Sequence, residues 1–65
     1  GRYEKRDKTR FYKVSRGSCY ELMSQALVAK ELGYMDPDAS ENLIDENKNI
    51  IKELNSIIKT IESNM

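Results

Sequence analysis

Seven basic residues crowd the first sixteen positions. Arg2, Lys5, Arg6, Lys8, Arg10, Lys13 and Arg16 stand against Glu4 and Asp7, a formal charge of +5. At the roughly 100° per residue of an α-helix, Lys5, Lys13 and Arg16 share one arc, Arg2 and Arg10 flank it, and Tyr3 and Tyr12 lie among them. Cationic side chains supply the sequence-independent attraction to phosphate, and aromatic rings can stack on unpaired bases. The pattern suits contact with RNA or DNA. It equally suits a solvated helix face, or pairing with acids such as Asp45, Glu46 and Glu53 of another subunit.

Other reactive groups carry less. Ser18 has no histidine to activate it, because the chain contains none, and no lysine is placed by spacing to serve as its base. Glu21 and Gln25 stand one turn apart, just after Arg16-Gly17-Ser18. They could form a polar site inside a bundle, but a buried hydrogen-bond network fixing helix register is the reading favoured here. Cys19 reads as a small core residue rather than a nucleophile. Asp36, Asp38 and Glu41 lack the length and glycine of an EF-hand loop and are better explained by helix capping. Neither a phosphate-binding glycine loop nor a zinc ligand set is present. No catalytic residue, metal ligand or cofactor is assigned, no small-molecule substrate is evident, and the expectation is a non-enzyme.

The elements that must position these groups are helices. Gly33 fits the position just past a helix end, where a left-handed backbone costs glycine nothing, and Tyr34 would fold back on the last turn. Asp36 is a good N-cap and Pro37 suits the first helical position. Asp38 and Glu41 put negative charge at that helix's positive end. One helix therefore stops at about 32, a turn covers about 33–36, and a second helix runs over about 37–63. So short a link produces an antiparallel hairpin.

The second helix carries Leu43, Asn47, Ile50, Leu54, Ile57 and Ile61 at spacings of 4, 3, 4, 3 and 4, with Ile44, Ile51 and Ile58 as an adjacent row. That arc is wider than a two-stranded seam. Asn47 either fixes register within it or sits at a solvated edge. On the first helix, about 4–32, Phe11, Val14, Ser15, Ser18, Leu22, Gln25, Ala29 and Leu32 share a face. Tyr12, Cys19, Met23, Ala26 and Leu27 widen it to one side, and small residues at 15, 18, 26 and 29 permit close helix approach. Gly17 is read as intrahelical, and the last residues, 62–65, as a frayed end.

The 65 residues are 38% hydrophobic and 34% charged, with a mean hydropathy of -0.74. A core this small seldom supplies more than about 3–5 kcal/mol, and a single cysteine allows no internal disulfide. Self-association or a missing partner segment must complete the fold, and self-association is the expectation. The expected assembly core is Phe11, Leu22, Ala29, Leu32, Leu43, Ile50, Leu54, Ile57 and Ile61. The net charge of zero divides into +5 over residues 1–16 and -5 over the remainder. No apolar run approaches the roughly 18 residues of a membrane span and no signal-peptide pattern appears. A cytoplasmic protein without a membrane partner is expected.

Arg16-Gly17-Ser18, Glu21-Leu22, Gln25, Ala29 and Leu32-Gly33-Tyr34, preceded by Phe11 and a basic segment, carry a resemblance. The chain resembles the second half of the four helix bundle family that includes the 23S rRNA intervening-sequence proteins and, as relatives, the accessory variability proteins of diversity-generating retroelements. Two helices that precede this region in the family have no counterpart here. The resemblance implies an all-α C-terminal hairpin of a four-helix bundle, assembly into homo-oligomers such as pentamers, and nucleic acid as a partner of basic members. A dimer of hairpins would also rebuild a four-helix bundle. The resulting expectation is an all-α antiparallel two-helix hairpin, completed by self-association. Its leading role is a non-enzymatic oligomeric module contacting nucleic acid through the basic residues of its first helix. The rival is a purely structural protein–protein module.

Overall fold

The computed structural model describes residues 1–64, with the backbone alone at Arg2. Helix α1 (Arg2–Glu31) and helix α2 (Pro37–Ser63) make up nearly all of it. They pack as an antiparallel hairpin measuring 48 × 15 × 10 Å.

The turn follows from its residues. Gly33 takes φ +78°, the left-handed conformation in which any Cβ would be crowded. The Gly33 N–H donates to the Lys30 carbonyl at 3.1 Å and the Tyr34 N–H to the Ala29 carbonyl at 2.8 Å. These two bonds are the Schellman pair that closes a helix end. The Tyr34 side chain does not join them. It is 84% exposed, so the expected packing against the last turn is corrected to a backbone closure alone. At the start of α2, the Asp36 carboxylate accepts from the N–H groups of Asp38 at 3.0 Å and Ala39 at 3.4 Å, and Pro37 occupies the first turn.

The hairpin seam uses only part of each apolar arc. Cys19, Ile51 and Leu54 form its central cluster, with Tyr12 and Met23 packed against them. Ala26 and Ile58 are buried on either side of that cluster. Near the turn the helices meet closely: Ser40 is fully buried, and its hydroxyl donates to the Ala26 carbonyl across the seam at 2.9 Å. Ala26 is therefore the small residue at which close approach happens, while Ser18 remains exposed.

Asn47 is buried at 7% exposure, which removes the solvated-edge alternative. Its amide donates to the Leu43 carbonyl of its own helix at 2.9 Å, so it is satisfied without a bond to α1. Thr9 is likewise buried and donates to the Lys5 carbonyl at 2.8 Å. Among the described residues, no buried side-chain nitrogen or oxygen lacks a partner. Residues 62–64, read as frayed, are ordered into a helix end: Asn64 donates from its backbone to the Ile61 carbonyl and from its side chain to the Thr60 carbonyl. Met65 lies outside the described residues.

Candidate nucleic-acid interface and assembly face

One edge of the seam is closed by polar contacts near the open end of the hairpin. Arg16 Nη1 donates to Asn55 Oδ1 at 2.7 Å, and Lys13 Nζ donates to Glu62 Oε2 at 2.9 Å. Lys5 Nζ donates to the Asn64 carbonyl at 3.0 Å. The three basic residues that share an arc in the sequence therefore bridge to α2 of the same chain. Asp45, Glu46 and Glu53, named from sequence as partners on another subunit, make no ion pair with these residues within one hairpin, among the described residues. The Lys13–Glu62 pair is about half exposed on both sides, so solvent screens it and its contribution to stability is small.

The remaining basic groups point elsewhere. Arg6, Lys8 and Arg10 are exposed and make no ion pair or hydrogen bond among the described residues. The side chain of Arg2 lies outside those residues. Arg6, Arg10 and Lys13 line an open groove of about 460 Å³ together with Thr9, Val14 and Glu62. Tyr3 beside them is 80% exposed and free to stack. Tyr12 is not, because its ring is committed to the seam cluster. A larger trough of about 730 Å³ runs between Tyr20 and Met23 on α1 and Lys48 and Lys52 on α2. It lies away from the basic end.

Folding sorts the charge by position along the hairpin. Residues 1–16 carry +5 at the open end, and residues 17–49, which form the turn end, carry two lysines against seven acids, or -5. Residues 50–65 contribute two of each sign, so they leave the open end at +5. The molecule is an elongated body with opposite charges at its two ends.

The other edge of the seam is apolar and open. Helical rotation shows why the open residues of both helices share a face. On α1, Phe11 and Leu22 lie on the opposite side of the seam row from Lys13; on α2, Ile50 and Ile57 lie on the opposite side from Asn55 and Glu62. The polar bridges hold the second pair of sides together, so the apolar sides are also brought to one face. Its exposure is large: Phe11 is 66% exposed, Leu22 48%, Ile50 45% and Ile57 38%.

The residues expected to form an assembly core divide accordingly. Leu54 is buried within the hairpin. Ala29, Leu43 and Ile61 are partly buried at the margin of the seam, and Phe11, Leu22, Leu32, Ile50 and Ile57 are exposed. Sequence periodicity located the apolar arcs but not the rows that meet. On α1 the seam uses the flanking row through Tyr12, Cys19, Met23 and Ala26, leaving the central row open. A buried polar network at Glu21 and Gln25 is not found: both side chains are exposed beside the open face.

Sequence reasoning missed Thr9 and Ser40 as buried polar residues. The signal at Ser40 was its place on the Asn47–Leu54–Ile58 side of α2, one of the few small residues there. Among the described residues, no helix is long and apolar enough to cross a membrane.

The family model described as 23S rRNA-intervening sequence protein matches residues 1–56, covering all of α1, the turn and most of α2. No curated protein and no solved structure matches the chain. The matched stretch contains the basic end, the Schellman turn and the central part of the open face. On that coverage, the chain belongs to the 23S rRNA-intervening sequence protein family.

Proposed function

We propose that this hairpin is a non-enzymatic assembly module of the cytoplasm, in which copies cover one another's apolar face and the basic end contacts nucleic acid. The observation that carries assembly is the open face, with Phe11, Leu22, Ile50 and Ile57 exposed on a chain whose own seam buries five apolar residues. Large contiguous apolar surfaces of this kind mark sites of association. Support for nucleic-acid contact comes from Arg6, Lys8 and Arg10, which are exposed and have no ion pair or hydrogen bond among the described residues, at an end carrying +5. The family description names an intervening sequence of 23S rRNA, so RNA is the nucleic acid to test first.

A purely structural role has one observation in its favour. Lys5, Lys13 and Arg16 already bridge to α2, and part of the basic cluster is thereby spent on holding the hairpin. Retention of RNA and DNA at about 50 and 200 mM salt separates the readings, because phosphate-driven binding weakens steeply over that range. Binding that is lost at the higher salt supports the nucleic-acid role. If neither nucleic acid is held at the lower salt, the structural role stands alone.

A further inference from the structure

We infer that the polar edge of the hairpin is a track for a single-stranded nucleic acid. A strand held at Arg6 and Lys13 continues along this edge to Tyr20, which stacks an unpaired base. Lys48 and Lys52 meet the phosphates beside it. The inference rests on the nucleic-acid contact proposed above and adds the form of the strand, its path and a stacking site beyond the basic end.

Sevenfold spacing puts the basic groove and the larger trough on one edge. Residues seven apart on a helix differ by only about 20° in direction. Arg6, Lys13 and Tyr20 form such a row on α1, and Lys48, Asn55 and Glu62 form one on α2. The Lys13–Glu62 and Arg16–Asn55 contacts bring the two rows together across the seam. The groove that Arg6, Arg10 and Lys13 line lies at one end of this double row. The trough of Tyr20, Met23, Lys48, Ile51 and Lys52 lies at the other. Along α1 the path from Arg6 to Tyr20 is about 21 Å. It runs on the side opposite the apolar face, so covering that face does not close it.

Charge on this edge is one-sided. The groove, the bridge and the trough carry Arg6, Arg10, Lys13, Arg16, Lys48 and Lys52 against Asp45 and Glu62. Six minus two gives +4, on a chain whose net charge is zero. Lys48 and Lys52 are exposed and make no ion pair or hydrogen bond among the described residues. Arg16 spends only part of its donor fork on Asn55, and the rest is left for phosphate. Tyr20 is 53% exposed and shares the trough with the apolar Met23 and Ile51. An open ring beside cations is the combination that single-strand sites use, stacking from the aromatic and phosphate attraction from the cations. Within a duplex each base is already stacked between its neighbours, so the ring selects an unpaired strand.

Fluorescence anisotropy of the full chain with labelled single-stranded RNA or DNA of about 12 nucleotides tests the track. The titrations are repeated over a salt series and with a duplex of the same length, and circular dichroism checks the helicity of each variant. Tyr20→Leu keeps apolar bulk and removes the ring. It is expected to weaken single-strand binding about 5- to 100-fold, with the salt slope and duplex binding unchanged. Tyr20→Phe keeps the ring and should bind as the parent does. Lys48→Gln combined with Lys52→Gln should lower the slope of log affinity against log salt by about 1.4, two phosphates at roughly 0.7 each. A strand that binds Tyr20→Leu as tightly as the parent overturns the track and leaves the basic-end contact standing; so does a preference for the duplex. If neither nucleic acid binds at about 50 mM salt, both readings fall. Should Tyr20→Leu fail to fold, the exposed lysine pair decides, because an unchanged salt slope refutes the track.

Discussion

Truncation of Phe11 to alanine measures directly whether the open face is covered. In the hairpin alone Phe11 is 66% exposed, its ring meeting Tyr12 edge-on with centroids 5.5 Å apart. Removing a fully buried phenylalanine costs about 3–5 kcal/mol, so a side chain about one-third buried loses about 1–1.5 kcal/mol. Alanine regains about 0.5 kcal/mol as the better helix former. The net cost for an uncovered face is therefore about 0.5–1 kcal/mol per chain. If a second hairpin covers the ring, the same bookkeeping gives about 2.5–4.5 kcal/mol per chain. Urea unfolding followed by circular dichroism, with a global fit to several chain concentrations, reads the difference. A loss near 3 kcal/mol with a midpoint that rises with concentration is expected. A loss under about 1 kcal/mol and a concentration-independent midpoint would refute the covered-face reasoning.

Three further substitutions probe separate parts of the fold. Gly17→Ala is expected to stabilise the chain by about 1 kcal/mol, since a Cβ there meets nothing within 4 Å; thermal unfolding should show a midpoint about 4–8 °C higher. Gly33→Ala should do the reverse by about 1 kcal/mol in a urea titration, because φ +78° strains any residue with a Cβ. Leu54→Asp places an unpaired charge in the central cluster at a cost of several kcal/mol, comparable with everything so small a core supplies. Helicity and assembly should be lost together, as read by circular dichroism and light scattering. Retention of both would remove Leu54 from the core.

The parts of the fold that local chemistry dictates were legible in the sequence. Gly33, Asp36 and Pro37 each suit one backbone position, and together they mark where one helix stops and the next begins. The wide apolar arcs were legible too, and so was the family. The pairing of those arcs was not. Spacing alone places Phe11 and Tyr12 within about 100° of each other but cannot say which one faces α2, since both rows are apolar enough to pack. The choice of the Tyr12 row comes from tertiary fit: Cys19 and Ala26 let the helices approach, and Ser40 reaches the Ala26 carbonyl. Similarly, the one-turn spacing of Glu21 and Gln25 is the same for a buried network as for a solvated flank. The basic cluster looked uniform in sequence because the chain reversal that brings Asn55, Glu62 and Asn64 to Arg16, Lys13 and Lys5 acts over long separations.

The central claim is that this hairpin is completed by other copies of itself. Sedimentation equilibrium across a dilution series, with helicity recorded on the same samples, tests it most directly. A dimer or larger species wherever the chain is helical, with helicity falling as dilution drives the species to monomer, is the expected result. A fully helical monomer throughout the series would contradict it.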